Sequence, residues 1–305
     1  MVARHNLFAI MALFIVVVCA PAPAGAAEYT VKDVFSSPGG VIVDAQGTPV
    51  TGTLRHYYED GTPKEVTPLV NGKPEGLEKR YYASGKLEWD APFVEGVLHG
   101  QVTHYYENGR KESVFTYVRG EETGLVRLYG EEGALLSEGV KRKGRWEGEV
   151  KEYSTLGALM RTAFFKGGKR EGPTRLFNVG TGKLMQETPF QNDVQHGREM
   201  RWFPDGSLES ETPYVEGARH GAMRRYYQDG KLRSTATFVN GKTQGTVKSY
   251  HPSGKLYGEI DFVDGEPRTA TLYSESGSVV DKKVYSRGEW QKEMRARGVL
   301  PETKP

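Results

Sequence analysis

Glycine returns every 24 residues along most of this chain, and no other feature limits its fold as strongly. Starting at Gly52, glycines stand at 76, 100, 124, 148 and 172. One inserted residue moves the next to Gly197, after which Gly221 and Gly245 resume the spacing. The count makes nine repeats, the ninth losing its closing glycine to Thr269, and a degenerate tenth runs through 282–288. Such a period marks a repeat architecture, in which each unit buries apolar surface only against its neighbours.

With the opening glycine as position zero, position five is aromatic throughout: Tyr57, Tyr81, Tyr105, Tyr129, Tyr153, Phe177, Trp202, Tyr226 and Tyr250. A second glycine follows near position nine, and a second ring recurs near position seventeen, as at Phe93, Tyr117 and Phe238. Each repeat reads as two short strands. Asp60-Gly61, Asn108-Gly109, Asp205-Gly206 and Asp229-Gly230 predict tight turns with positive φ at both central residues, and the G-x-x-x-G segments predict looser links between hairpins. A lone hairpin is marginal in water, so hairpins must pair side by side. The expected fold is all-β: an elongated, single-layer, twisted antiparallel sheet of about nine to ten 24-residue β-hairpin repeats.

The ends differ from the array. Residues 1–26 predict a signal peptide: a short basic start, an apolar run from Leu7 to Val18, then a small-residue segment cleavable after Ala26. Twelve apolar residues at 1.5 Å each reach about 18 Å, short of a ~30 Å bilayer core. Cys19 lies inside this segment, and Val18 before it is wrong for a lipoprotein site. Export to the periplasm, envelope or medium is therefore expected. Residues 27–51 predict a cap over the first sheet edge, 52–288 the array, and 289–305 a C-terminal cap with one helical turn carrying Trp290 and Met294.

The phrase "GLEKRYYASGKLEWDAPFVEG" at 76–96, with "GAMRRYYQDGKLRSTATFVNG" at 221–241, resembles the MORN (membrane occupation and recognition nexus) repeat in its bacterial variant form. The resemblance covers about residues 52–288 and weakens in repeats four to six. There Lys141 replaces the second ring, Asp193 replaces a glycine, and the second tyrosine is missing. It implies a hairpin-repeat fold, and an antitoxin-like role of the kind attached to YwqK-type antitoxin components. Function follows from a fold only weakly.

Position five is expected to be a buried structural row. Position six is aromatic at Tyr58, Tyr82, Tyr106, Phe203 and Tyr227, and position four, expected on the same face, holds His56, Arg80, His104, Arg201 and Arg225 in those repeats. The candidate binding residues are Tyr58, Arg80, Tyr82, His104, Tyr106, Arg201, Phe203, Arg225 and Tyr227: rings beside cations or imidazoles, suited to stacking and to anionic groups. A further stripe at position three (Arg55, Lys79, Arg127, Lys151, Arg175, Arg224, Lys248) is expected to pair with glutamates such as Glu59, Glu88, Glu107 and Glu112.

No H-E-x-x-H, paired cysteines, phosphate loop or nucleophile elbow occurs. No enzyme activity, metal or cofactor is expected. A net charge of +2 removes the electrostatic case for nucleic acid. The expected function is an exported, non-enzymatic scaffold that binds a protein partner. The alternatives are a binder of anionic lipid headgroups or envelope polysaccharide, or an immunity-like protein.

Overall fold

Two kinds of turn alternate along the chain, and their backbone angles explain the period. In the computed structural model, which describes residues 27–286 together with 288, 289 and 292, the turns linking one repeat to the next have positive φ at both central residues. Examples are Asn71 and Gly72 (50° and 72°), Glu95 and Gly96 (52° and 84°), and Arg119 and Gly120 (52° and 80°). These are the tight, two-residue primed turns that match strand twist. The Asp-Gly and Asn-Gly turns inside each repeat are the looser kind: only Gly61 has positive φ in its turn, with Gly61 N–H donating to Tyr58 C=O and Tyr58 N–H to Thr62 C=O. That is a three-residue loop closed by a glycine bulge, with the Asp60 carboxylate accepting from Thr62 N–H at 2.9 Å. The expected assignment of tight and loose turns is thus reversed.

The fold is all-β. Among the described residues, 26 strands lie in open, mostly antiparallel sheet. In the usual repeat a six-residue strand such as Gly76–Tyr81 pairs with an eight-residue strand such as Leu87–Val94. The chain divides into two compact units, 1–144 and 145–305, and the same hairpin builds each.

In the N-terminal unit the strands Gly52–Tyr57, Gly76–Tyr81, Gly100–Tyr105 and Gly124–Tyr129 each open a hairpin. Ala27–Thr30 runs parallel along Gly52–Tyr57, in the register Ala27↔Gly52 to Thr30↔Arg55. In the C-terminal unit, hairpins follow from Arg145–Tyr153 to the last strand, Val279–Val284. The signal peptide expected over 1–26, with Cys19, lies outside the described residues, as do Trp290 and Met294 of the expected C-terminal helical turn.

Why a glycine must open each repeat is clearest at Gly100. Its φ is +125°, and a Cβ placed there would stand 2.8 Å from Pro92 Cγ on the preceding strand. Gly100 also sits opposite Tyr117 across its own hairpin, and the equivalent pairs are Gly76↔Phe93 and Gly221↔Phe238. The recurring second ring therefore covers the space a side chain leaves empty. Pro68, Pro92, Pro189 and Pro213 fit mid-strand because each of their carbonyls accepts from the residue before the next glycine. The missing N–H points the same way, into an irregular stretch of the ladder.

The ninth repeat departs from this pattern. Its primed turn at Asp264–Gly265 is followed by a one-residue register shift, from Phe262↔Pro267 to Asp261↔Thr269. Between Leu69↔Pro74 and Val66↔Lys79 the corresponding shift is two residues. The next aromatic, Tyr273, arrives one residue early, and no opening glycine is required.

Burial is a stripe and not a volume. Positions two and fifteen pair across each hairpin, as Val102↔Phe115 and Val150↔Ala163. Val102, Val126, Val150, Ala91 and Ala163 are buried there. Position five is not the core: Tyr57 is 41% exposed and the other eight rings are half-buried. Odd positions of the first strand and position fourteen of the second carry the charged face, and there Tyr105 Oη donates to Asp90 at 3.0 Å and Tyr226 Oη to Glu211 at 3.0 Å.

Candidate functional site

The second tyrosine of each pair stands just past the end of its strand, and it reaches forward to the next repeat. Tyr58 Oη donates to Tyr81 C=O at 2.7 Å, Tyr82 Oη to Tyr105 C=O at 2.6 Å, and Tyr106 Oη to Tyr129 C=O at 2.8 Å. In the C-terminal unit Tyr227 Oη donates to Tyr250 C=O at 2.7 Å. These hydroxyls staple successive hairpins. Burial pushes the Tyr82 phenol pKa upward, and Glu88, Glu112 and Glu107 add to the rise. Tyr106 is raised by the same effects, with Glu112 and Glu131 as the charges.

The expected pairing of position-four cations with position-six rings is therefore not what forms. The cations beside Tyr58 and Tyr227 come from position twelve: Lys64 Nζ 5.5 Å from the Tyr58 centroid, and Arg233 5.7 Å from that of Tyr227. A register shift between positions four and five ends the simple alternation of faces. Position four instead shares its face with positions thirteen and fifteen of the facing strands.

In the N-terminal unit this arrangement builds one continuous row. Arg80 lies 4.9 Å above the Trp89 ring and pairs with Glu65 at 3.0 Å. Trp89 stacks on His104 at 5.6 Å and 29°, and His104 meets Phe115 edge-on at 6.2 Å. Lys141, where other repeats carry the second ring, lies 6.0 Å over Phe115 and 2.9 Å from Glu122. The three rings are half-buried, and Trp89 Nε1 is buried with no hydrogen-bond partner. Nearby, burial raises the Glu78 carboxyl pKa and Glu65 adds to the shift, against a hydrogen bond from Thr67 Oγ1. Trp89, Phe115, Glu65 and Lys141 were not among the sequence candidates. Counting register across the hairpin, rather than along one strand, is the signal that finds them.

The C-terminal candidates are arranged differently. Arg201 pairs with Glu199 at 3.0 Å, and Arg201 and Arg225 both stand opposite the buried Ser210, one on each side. Phe203 is half-buried in a turn closed by its own backbone. Six of the seven position-three cations are ion-paired, four of them with position fourteen: Arg127–Glu138, Arg175–Glu187, Arg224–Glu211 and Lys248–Glu259. Lys151 takes Glu149 instead. Glu211 gathers Arg198, Arg224 and Tyr226. Burial works to raise its pKa, and those donors outweigh burial and hold it below the usual value. Among the described residues, no group of three or more His, Cys, Asp or Glu could hold a metal ion.

Against known proteins, no curated protein matches the chain. Solved structures similar to it include TcdB2-TccC3-Cdc42, at 11% identity over 85% of this chain and 18% of that one, with a TM-score of 0.15. TcdB2-TccC3 without its hypervariable C-terminal region gives 15%, 82%, 16% and 0.19, and the Photorhabdus luminescens Tc holotoxin pore gives 13%, 80%, 16% and 0.16. The chain thus spans less than a fifth of those chains, and TM-scores of this size leave the likeness without weight. The MORN repeat variant model matches residues 74–93, 98–118, 195–216, 219–240 and 243–264. Each matched repeat has an aromatic or imidazole ring at position six, namely Tyr82, Tyr106, Phe203, Tyr227 and His251, whereas Gly130, Ser154 and Asn178 hold that place in three unmatched ones. Five of the repeats are thus matched by the MORN repeat variant model.

Proposed function

We propose that the chain is a non-enzymatic repeat scaffold, acting in the bacterial envelope after export, that binds a protein partner across the Arg80–Trp89–His104–Phe115–Lys141 row. The row itself carries the proposal. Its three rings stand in succession between the Arg80 and Lys141 cations, are half-exposed, and take no part in the tyrosine staples. Aromatic and arginine side chains are the groups most often found at the energetic centre of protein interfaces.

The test is a pull-down from envelope extract with residues 27–305 as bait, beside an Arg80→Ala/Trp89→Ala variant. A protein retained by wild type at high salt and lost by the variant supports the scaffold. A second reading, recognition of anionic headgroups or acidic polysaccharide, rests on Arg201 and Arg225 flanking Ser210. Co-purified lipid or glycan, released by salt and by Arg201→Ala/Arg225→Ala, would replace the first reading with this one. An immunity-like role requires a toxin as the retained protein.

A further inference from the structure

Every second strand inside the C-terminal unit is flanked by the first strand of the following repeat, except the last. Among the described residues, Val279–Val284 pairs only with Glu266–Tyr273. Val279, Val280 and Val284 are 59%, 68% and 70% exposed. Just beyond the strand, Tyr285 N–H donates inward, to Arg268 C=O. Alternation along the strand then turns the N–H and C=O of Val284 and Lys282 toward the open side.

Position fourteen decides what kind of strand fits there. In the C-terminal unit it holds threonine in two repeats (Thr162, Thr235) and glutamate in three, where Glu187, Glu211 and Glu259 accept the position-three cations Arg175, Arg224 and Lys248 at 2.7, 2.8 and 3.1 Å. In the last strand the same place holds Lys282, opposite the neutral Thr271. A cation thus ends a row that elsewhere in this unit holds only carboxylates and threonines. A further first strand of the usual kind would set its position-three cation against Lys282, a like-charge pairing that disfavours continuation.

We propose that the outer edge of Val279–Val284 accepts an antiparallel extended segment of a partner protein that carries a carboxylate opposite Lys282. Main-chain bonds to Lys282 and Val284 supply attachment, and the charge pair supplies choice. The N-terminal unit shows a comparable edge already filled, there by a parallel segment. Ala27–Thr30 lies along the outer side of Gly52–Tyr57 and sets Glu28 3.0 Å from Arg55, a position-three cation.

Two labelled peptides test this by fluorescence anisotropy against the full chain: a copy of residues 244–251, and the same peptide with Lys248→Glu. The glutamate peptide is expected to bind about fivefold more tightly at low salt, with the gap closing as salt rises. Lys282→Glu in the protein, an exposed change, should invert the preference. Equal binding of the two peptides, no binding of either, or a preference unmoved by Lys282→Glu overturns the proposal. Self-association of the chain that excludes both peptides would give the edge to a second copy, and overturns it equally.

Discussion

At the primed-turn end of the hairpins, the recurring connection is a backbone bond, with side-chain acceptors such as Glu75, Thr123 and Gln244 beside it. Gly72 N–H donates to Val50 C=O, Gly96 to Pro74, Gly120 to Leu98, Gly217 to Gln195 and Gly241 to Arg219. Even Asp193, where glycine is lost, makes the bond, to Arg170 C=O. At the opposite end the connection is a tyrosine hydroxyl, made by Tyr58, Tyr82, Tyr106 and Tyr227. Where Ser154 and Asn178 stand instead, the side chains turn back on their own loops, accepting from Ala158 N–H and from Gly180 and Thr181 N–H. A backbone ladder survives sequence drift because any residue able to reach positive φ supplies the N–H. A side-chain ladder is lost with one substitution. The positions where the hydroxyl is lost, Gly130, Ser154 and Asn178, all fall in repeats that the family model leaves unmatched.

Breaking the backbone ladder should have the largest effect. Gly96→Pro removes the N–H that bonds Pro74 C=O and cannot adopt φ of +84°. A loss of about 3 kcal/mol or more is expected in urea unfolding. Tyr82→Phe keeps the ring and removes one hydroxyl bond, for a loss of about 1 kcal/mol. Hydrogen exchange should place the Tyr82→Phe effect around Tyr105, leaving the turn at 119–120 unchanged. The reverse change, Ser154→Tyr, offers a donor to the carbonyl of Phe177 and should gain about as much. A gain from Ser154→Tyr as large as the Gly96→Pro loss would erase the distinction between the two ends.

The period, the hairpins and the all-β class were legible because glycine at positive φ has few substitutes. Which turn is the tight one was not. Glu95, Arg119 and Lys143 occupy αL positions that sequence rules reserve for Gly, Asn or Asp, while Asp60-Gly61 looks like a primed turn and is a bulged loop. The candidate row was half legible. Arg80 and His104 stood out along their strands, but Trp89 and Phe115 come from facing strands, and their alignment depends on the register shift before position five. Parity along one strand cannot carry across that shift.

The tyrosine ladder should also answer to pH. Tyr82 and Tyr106 have folded pKa values above the unfolded phenol's value of about 10, because burial and nearby glutamates disfavour the phenolate. The folded state therefore holds the proton more tightly. The contribution is complete below the unfolded pKa and is lost as pH rises through the folded one. Urea midpoints between pH 9 and 11 should fall more steeply for wild type than for Tyr82→Phe/Tyr106→Phe. Parallel curves would mean that these hydroxyls do not couple to folding.

The smallest effect sharpens the comparison from the backbone side. Arg119 holds φ of +52° in a primed turn beside Gly120, where Asn71 and Asn240 hold 50° and 49° in equivalent turns. A long side chain gains nothing in αL, whereas asparagine tolerates it, so Arg119→Asn should stabilise by about 0.5–1 kcal/mol. The neighbouring N–H of Gly120 keeps its bond to Leu98 C=O in either variant, so the gain isolates conformational strain from the ladder. A thermal midpoint that rises for Arg119→Asn while exchange at Gly120 slows would place strain relief at this turn. A midpoint that stays fixed would mean that the ladder bond, and not the turn residue, sets the stability of this end.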